Sequence, residues 1–303
     1  MKIKNMLKFL LPKTTKRKLI YIYNFIVNGY RRILHRIKHG TPAQVWTLGI
    51  RRHGEKKYKF IKPPKGRIYA DPFLIEDDGK HYVFFEDCET GKMEGIISVA
   101  QVNEDCTLSA VRTVLSRDYH LSFPCVFKYD DDFFMIPETA QNRTIELYRA
   151  VSFPDIWEIH CIINEDIHAL DNVLYHNDEG FWLFSNVVSK GNVSGVELNI
   201  FYSDSLNGPW YGHPKNPVLC DIKSARPAGK VFREGGRLLR PGQDCERCYG
   251  YAVTLKEITH LSREDYSEKN YRTILPEEVS PKAFCTHTLN KNSQFEIVDI
   301  LKK

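Results

Sequence analysis

The chain has 303 residues, of which 42% are hydrophobic and 27% are charged, enough to bury one full core as a single domain. Its eight cysteines are scattered along the chain, which excludes the small secreted domains that a disulfide framework holds together. The longest apolar stretch of the N-terminal region, Leu19 to Val27, is far shorter than the roughly 20 residues that a membrane-spanning helix needs.

Charge divides the chain into two parts. The first 54 residues contain 13 of the 43 Lys and Arg residues and no Asp or Glu, whereas the remainder carries 30 basic and 38 acidic residues. The sequence therefore predicts a basic tail on an acidic body, which the net charge of +5 conceals. The acidic body argues against an extended phosphate-binding face, so no nucleic-acid partner is predicted.

Residues 1–42 are predicted to form the tail, and Gly40-Thr41-Pro42 ends it. Apolar residues recur there at roughly helical spacing between basic ones, which indicates an amphipathic helical segment whose residues 1–40 lie on an anionic membrane surface. A solvated basic arm, or a helix packed against the body, fits the same pattern. The tail has no small-residue cleavage site, so we expect a cytoplasmic protein that is peripheral at the inner membrane face.

Residues 43–303, the predicted body, contain a recurring hairpin pattern of an apolar run, a turn rich in Asp, Gly or Asn, and an aromatic run. Its copies are DPFLIEDDGKHYVFFE from Asp71, FPCVFKYDDDFFMIPE from Phe123, DNVLYHNDEGFWLFSN from Asp171 and a diverged RPAGKVFREGGRLLRPGQD from Arg226. The first three copies begin 52 and 48 residues apart. In an all-β chain such repeats predict propeller blades, because a single sheet cannot bury both of its faces but a closed ring of sheets can.

The predicted fold is therefore all-β, a five-bladed β-propeller. Blades one to four are expected at residues 67–115, 119–163, 168–219 and 225–274. The fifth blade is predicted to pair the strand at Val45 to Ile50 with the C-terminal segment FEIVDIL, so that the two ends of the chain close the ring.

Three carboxylates are the predicted catalytic groups. The innermost strands of a propeller line its channel, where a charged side chain is costly unless it is paired, hydrated or functional. Asp71 and Asp171 begin the first and third repeats and Glu138 ends the second, so we expect all three near the axis. The alternative is that Asp71 and Asp171 merely cap turns.

Further polar residues in the fourth repeat and near the C-terminus are predicted to bind substrate. They are Arg226, Arg240, Gln243, Asp244, Tyr249 and His287. An arginine fork suits a phosphate or a carboxylate, and Tyr249 is placed to stack on a sugar ring. Structural ion pairs with Asp71 or Glu138 would explain the arginines equally well. Cys245-x-x-Cys248 lacks a second ligand pair at zinc-site spacing, so neither a metal nor a cofactor is predicted.

Several long motifs together resemble a known family. They are YADPFLIEDDGKHYVFFE, MIPETAQNRTIELYRA, FYSDSLNGPW, LRPGQDCERCYGYAV and THTLN. Over about residues 45–300 they resemble the five-bladed propeller domain at the N-terminus of plant glucosamine inositolphosphorylceramide transferase. The resemblance implies a role in glycolipid or surface-glycan assembly. In the plant protein a separate domain is the expected catalyst, and none resembling it is recognised in this sequence.

That propeller domain is in turn similar to family 43 and related glycoside hydrolases. In those enzymes an Asp of the first blade is the general base, an Asp of the second tunes a pKa, and a Glu of the third is the general acid. By this resemblance Asp71 takes the first role. The segment SFPCVF offers no Asp in the second blade, and the third offers Asp171 or Glu197, so the hydrolase mechanism is not expected intact.

We therefore expect a carbohydrate-active enzyme, most simply a glycosyltransferase of surface-glycan or glycolipid synthesis. It would use a nucleotide-sugar or other sugar donor and a glycan or lipid-linked acceptor, alongside partner glycosyltransferases. Asp71 or Glu138 would deprotonate the acceptor hydroxyl, and Arg226 and Arg240 would hold donor phosphates. A hydrolase that uses the same carboxylates and a non-catalytic glycan-binding module are the alternatives.

Overall fold

The computed structural model describes residues 45–92, 94–189 and 194–302, and these residues form five antiparallel sheets. The predicted tail and its boundary with the body at residue 42 lie outside the described residues. Within the described ranges, no helix is long and apolar enough to cross a membrane.

Each of the first four blades is built from consecutive strands, and β1 (Trp46–Arg52) and β2 (Lys59–Ile61) precede them in the chain. Blade one comprises β3 (Arg67–Asp77), β4 (Lys80–Glu89), β5 (Gly95–Val102) and β6 (Arg112–Leu115). Blade two comprises β7 (Ser122–Tyr129), β8 (Asp132–Glu138), β9 (Thr144–Ser152) and β10 (Ile156–Glu165). Blade three comprises β11 (Ala169–Asn177), β12 (Gly180–Val187), β13 (Glu197–Ser203), β14 (Tyr211–Gly212) and β15 (Leu219–Cys220). Blade four comprises β16 (Phe232–Glu234), β17 (Arg237–Asp244), β18 (Ala252–Leu261) and β19 (Tyr266–Ile274).

Blade five is assembled from both ends of the described chain. It comprises β20 (Ala283–Cys285), β21 (Leu289–Lys291) and β22 (Phe295–Lys302), together with β1 and β2. Strand β1 pairs antiparallel with β22 along its whole length, from Trp46 opposite Leu301 to Arg52 opposite Phe295. The predicted five-bladed propeller and its closure are thus confirmed. In the described part of the chain, two short helical segments lie between strands, a 3₁₀ helix (Ala140–Asn142) and α1 (Pro276–Val279).

Local sequence explains the tight hairpins. The turn between β3 and β4 has two central residues, Asp78 and Gly79, with φ values of 46° and 70°. Two successive left-handed residues are what a two-residue hairpin turn requires, and an Asp-Gly pair adopts that conformation at low cost. The aromatic runs then pack between neighbouring blades, as where the rings of Phe73 and Phe123 meet edge to face with their centres 4.8 Å apart.

The inner strands of the first three blades share one irregularity. Their pairing with the next strand slips at Asp71, at Phe123 and at Asp171, and these residues have left-handed φ values of 50°, 47° and 52°. Such a β-bulge re-aims side chains and is common beside active sites. The inner strand of blade five is also interrupted, between β20 and β21, at Thr286, His287 and Thr288. The ring thus repeats a break in its inner strands where the candidate residues lie.

Candidate active site

Two groups of polar side chains meet at the inner strands, and together they draw on all five blades. The first group joins Asp71 of blade one to His287, Thr288 and Asp299 of blade five. The second joins Glu138, Asp171, Arg226 and Gln243 of blades two, three and four. Side chains from every blade approach one another only around the axis of the ring, so the site lies in the central channel.

Asp299 organises the first group, although the sequence analysis did not single it out. This fully buried carboxylate of β22 accepts hydrogen bonds from the backbone N–H groups of Asp71, His287 and Thr288, each at 3.0 Å. Its Oδ2 also lies 2.7 Å from Nδ1 of His287. The His287 charge and these hydrogen bonds outweigh burial and hold the pKa of Asp299 below its usual range. Asp299 therefore stays ionised and fixes the imidazole ring.

His287 and Asp71 face each other across this group. Nε2 of His287 lies 3.7 Å from Oδ1 of Asp71, which also accepts a hydrogen bond of 2.9 Å from the Thr288 hydroxyl. Burial alone would lower the pKa of His287, but the carboxylates of Asp299 and Asp71 raise it to about 9. Burial raises the pKa of Asp71 to about 6, against the opposing effect of the His287 charge. At neutral pH the pair is an imidazolium beside a carboxylate of modest basicity.

Aromatic rings and a glycine enclose His287. Trp46 stacks on the imidazole with ring centres 4.0 Å apart, and Tyr249 meets it edge-on at 5.4 Å. Gly250 has φ of +61°, and a Cβ there would lie 2.7 Å from the Cβ of His287. Tyr249 is 47% exposed and also lies under the guanidinium of Arg226, at 5.1 Å from the ring centre. Its ring therefore touches both halves of the site and solvent.

The second group is built around Asp171. Arg226 donates to both of its carboxylate oxygens, at 2.5 and 3.1 Å, and Gln243 donates to Oδ2 at 2.6 Å. Glu138 accepts the backbone N–H of Asp171 at 3.2 Å and lies 3.6 Å from Arg226. Burial and the charge of Asp171 raise the pKa of Glu138 well above its usual range. The guanidinium of Arg226 is thus already paired with Asp171 and Glu138, so few of its N–H groups remain to bind a donor phosphate.

Two of the predicted substrate-binding residues do not join the site. Arg240 is 1% exposed, and its guanidinium binds both oxygens of Glu268, at 2.8 and 2.9 Å, and the Ser224 carbonyl at 2.9 Å. Asp244 accepts the backbone N–H of Glu246 at 2.9 Å. The prediction that Arg240 holds a donor phosphate is therefore corrected, because that side chain forms a buried ion pair within blade four.

Glu86 is a further carboxylate of the site that the sequence analysis missed. Burial and the charge of Asp71 raise its pKa to about 8. Oε1 of Glu86 lies 3.7 Å from Nε2 of His120, and a Cβ at Gly95 would lie 3.0 Å from the same oxygen. Glu86 ends the first repeat as Glu138 ends the second, so the repeat register carried the signal for both.

The cluster of Asp71, His287 and Asp299 could also be considered as a metal-binding site. Within the described part of the chain, Asp71, His287 and Asp299 form the one group of His, Cys, Asp and Glu side chains whose ligand atoms all lie within 4.8 Å of one another. However, Nδ1 of His287 is bonded to Asp299, and two backbone N–H groups occupy the other Asp299 oxygen. An imidazolium cannot ligate a cation, so the geometry favours an ion-pair network.

The stability of the ring should fall as pH rises from about 5 to about 8. Folded His287 and Glu86 have pKa values of about 9 and about 8, above their unfolded values, so the folded chain keeps protons that the unfolded chain releases over this range. We expect these two groups together to decrease the free energy of unfolding by roughly 5 to 6 kcal/mol, measured by urea denaturation. Lys230, whose pKa burial lowers to about 8, opposes the trend only at higher pH.

The variant Glu86→Gln is the control for this pH dependence. It should remove the Glu86 contribution, roughly 3 kcal/mol of the decrease between about pH 5 and 8, and leave the His287 contribution, because glutamine does not titrate. A parent protein whose stability rises steadily towards pH 8 would contradict the assignment of protons to these groups.

Chemically, the site places an ionised carboxylate near protonated groups. Asp71 can accept a proton at neutral pH, whereas Glu86 and His287, with pKa values of about 8 and about 9, hold protons there, and the pKa of Glu138 is raised in the same direction as that of Glu86. An acceptor of protons beside donors of protons is the combination that general acid–base catalysis requires. The candidate residues thus suit displacement at a sugar carbon, in which a hydroxyl loses a proton and a leaving oxygen gains one.

Comparisons with known proteins agree with this architecture. A family 117 glycoside hydrolase of Zobellia galactanivorans superimposes with a TM-score of 0.57 over 86% of this chain and 92% of its own, at 12% identity. A family 43 enzyme of Xanthomonas citri gives a TM-score of 0.54 over 77% and 87% of the two chains, at 9% identity. At such low identity these likenesses show the fold alone.

Sequence similarity, unlike these structural likenesses, identifies the family of the chain. Glucosamine inositolphosphorylceramide transferase 1 of Oryza sativa subsp. japonica is 38% identical over 203 residues, which are 66% of this chain and 27% of the rice protein. The chain therefore spans about a quarter of the length of this curated relative. Residues 63–292 match the family model described as glucosamine inositolphosphorylceramide transferase 1, N-terminal, and the chain belongs to that family.

Proposed function

We propose that this protein is a glycosyltransferase of glycolipid or surface-glycan assembly that uses Asp71 as its general base. The observation that carries the proposal is the setting of Asp71: its carboxylate lies near the axis, is held by Thr288 at 2.9 Å and faces His287 at 3.7 Å. A carboxylate with a pKa of about 6 is ionised at pH 7 yet basic enough to accept a proton from an acceptor hydroxyl.

The remaining groups have matching roles in this proposal. Glu86 or Glu138 keeps a proton and hydrogen-bonds or protonates the departing oxygen of the donor. The His287 charge stabilises Asp71 in its ionised form, and Asp299 holds the imidazole in place. Tyr249, exposed above both groups, supplies an aromatic surface for a sugar ring. Family membership supports a substrate of the glycolipid class, because the curated relative is named glucosamine inositolphosphorylceramide transferase 1.

A transfer assay tests the proposal directly. Purified protein is first screened against nucleotide sugars for thermal stabilisation, and each stabilising donor is then incubated with glycolipid or glycan acceptors. We expect mass spectrometry to detect an acceptor that is one sugar heavier, and Asp71→Asn to abolish that product. No product with any stabilising donor, while the protein cleaves oligosaccharides in water, would contradict transfer.

Hydrolysis is the second candidate, and one observation favours it. Arg226 is occupied by Asp171 and Glu138, and Arg240 by Glu268, so the charged groups near the axis are mainly carboxylates rather than phosphate ligands. A hydrolase would use Asp71 to activate water in place of an acceptor hydroxyl. The two functions separate in one experiment, since a hydrolase releases free sugar at the same rate whether or not an acceptor is added.

The basic tail supports a location at the cytoplasmic membrane face, where a lipid-linked acceptor would be within reach. With 13 basic and no acidic residues before Glu55, residues 1–40 should bind anionic vesicles, since each basic residue near the surface contributes about 1 kcal/mol. Deleting them should leave a folded ring and remove vesicle binding in a sedimentation assay at low salt. Undiminished binding by the truncated chain, or none by the full chain, would refute the anchor.

A further inference from the structure

The loop between β17 and β18, residues 245–251, carries Cys248 directly before Tyr249; we call it the Tyr249 loop. The sulfur of Cys248 lies 3.3 Å from the sulfur of Cys285 in β20 of blade five. These residues are 37 positions apart in sequence, in different blades, and their thiols are within hydrogen-bonding distance. The loop of blade four is thus in side-chain contact with the inner strand of blade five.

The two thiols differ in accessibility. Cys285 is 1% exposed and belongs to a small apolar cluster with Phe284 and Leu301. Cys248 is half-buried and packs against this cluster from outside, as Trp46 does. A reagent in solvent therefore meets Cys248 first, and Cys285 lies directly behind it.

Both cysteines are adjacent to members of the candidate active site. Tyr249, which follows Cys248, contacts Arg226 and His287. His287 itself is two residues beyond Cys285, and Trp46 stacks on its ring while packing on the same apolar cluster. A bond between the two sulfurs would therefore fix the loop that carries the exposed ring of the site to the segment that carries its imidazole.

We propose that Cys248 and Cys285 form a reversible disulfide, which latches the Tyr249 loop to blade five and regulates access to the site. The regulatory part rests on the proposed function, whereas formation of the bond does not. Joining the sulfurs requires them to approach from 3.3 Å to about 2.05 Å, the length of a disulfide bond.

The chemistry is thiol–disulfide exchange with a small disulfide such as oxidised glutathione. The Cys248 thiolate attacks one sulfur of the reagent, and the other leaves as a thiolate with the electron pair of the broken bond. Cys285 then loses its proton, attacks the Cys248 sulfur and expels the second reagent thiol. Two protein thiols are oxidised and one reagent disulfide is reduced to two thiols. The hydrogen bond with Cys248, together with burial, raises the pKa of Cys285, which makes Cys248 the first to react.

Cys245 is the competing partner, and its contacts hold it elsewhere. It is 4% exposed, and its sulfur accepts the backbone N–H of Gly250 at 3.4 Å and lies 3.9 Å from the Gln243 amide oxygen. The spacing Cys-x-x-Cys within the loop is therefore less relevant than the pair formed across two blades.

Disulfide mapping tests the bond. The full chain is equilibrated with defined mixtures of oxidised and reduced glutathione, alkylated and digested. We expect a linked peptide containing Cys248 and Cys285, absent from Cys248→Ser and from Cys285→Ser but present in the control Cys161→Ser. The oxidised form should melt roughly 5 °C or more higher than the reduced form, since the bond closes a long loop. Full alkylation of both cysteines throughout, a stable glutathione adduct on Cys248, or a bond to Cys245 would overturn the proposal.

Hydrogen exchange tests the latch separately. Amide exchange in residues 245–251 should slow about tenfold or more in the oxidised protein, and Cys161→Ser should behave in the same way. If the bond forms and exchange in the loop is unchanged, the disulfide does not restrain Tyr249 and the regulatory role is refuted. Neither readout uses activity, so a protein that fails the transfer assay but shows both changes refutes only the proposed function.

Discussion

Deleting residues 276–303 is expected to unfold the entire ring. The deletion removes β20, β21 and β22, so β1 loses β22, which pairs with it along its whole length, and keeps only the short strand β2. It also removes Asp299, which anchors the backbone of Asp71 in blade one, and Leu289, which packs in the cluster between blades four and five. An open propeller leaves sheet edges and apolar faces exposed to water. We expect loss of cooperative melting in circular dichroism, and binding of a hydrophobic dye.

The matched control removes chain from the other end without touching the closure. A protein lacking residues 1–40 retains β1 and should melt cooperatively, near the parent temperature. Adding a peptide of residues 276–303 to the shortened chain should restore part of the fold, because the lost strands pair through backbone hydrogen bonds. If the shortened chain melts cooperatively at the parent temperature by itself, blade five does not close the ring as described.

Replacing Asp71 by Asn should reduce activity by roughly 10² or more while changing stability little. Asparagine keeps the oxygen that accepts the Thr288 hydroxyl, and it tolerates the left-handed conformation, with φ of 50°, that this bulge requires. What is lost is the negative charge and the ability to take a proton. His287 retains Asp299, so its positive charge remains paired.

Asp130→Asn is the matched control for that substitution. Asp130 also has a left-handed backbone, with φ of 51°, but it is exposed in the turn between β7 and β8. It should leave both activity and melting temperature near those of the parent. If Asp71→Asn instead lowers the melting temperature strongly and activity falls only in proportion to the unfolded fraction, Asp71 is a structural ion-pair partner and not the base.

The fold could be predicted from the repeats because each blade forms from strands that are consecutive in sequence. The recurring pattern of apolar run, turn and aromatic run therefore marks each blade. Blade one was expected at residues 67–115, and its strands begin at Arg67 and end at Leu115. The closure was also predicted, because the C-terminal segment is too short to form a blade alone and can complete one by pairing with the strand at Val45 to Ile50. In blade four the prediction was less close, because β16 begins only at Phe232, with a single bridge from Pro227 to Gly242 before it.

It was harder to predict which side chains of a hairpin face the axis, although the alternation of side chains along a strand predicts part of it. Gln243 and Arg240 lie three residues apart in β17, whose pairing with β18 is regular there, so they point to opposite faces. Gln243 reaches Asp171, whereas Arg240 reaches Glu268. Grouping Arg240 with Gln243 by proximity in sequence ignored this alternation.

Asp299 is indicated by a different pattern, because it is the one acid in the otherwise apolar run from Ile297 to Leu301 of β22. A charged residue in a strand that is otherwise buried must be paired or functional, and the same argument that selected Asp71 applies to it. The identity of its partner was beyond sequence, because His287 and Asp71 are brought to it by ring closure and not by any local pattern.

The bulge repeated at Asp71, Phe123 and Asp171 suggests how the blades of such a ring can diverge from one another. The backbone adopts the same left-handed conformation at all three bulges, and two of these positions carry a carboxylate. The third carries a buried phenylalanine, a residue for which that conformation is strained. The backbone of blade two thus already has the shape that serves polar chemistry in its neighbours. Exchanging one side chain at such a position alters what the channel recognises without rebuilding the scaffold, so propellers of this kind can acquire new specificities through single substitutions at repeated positions.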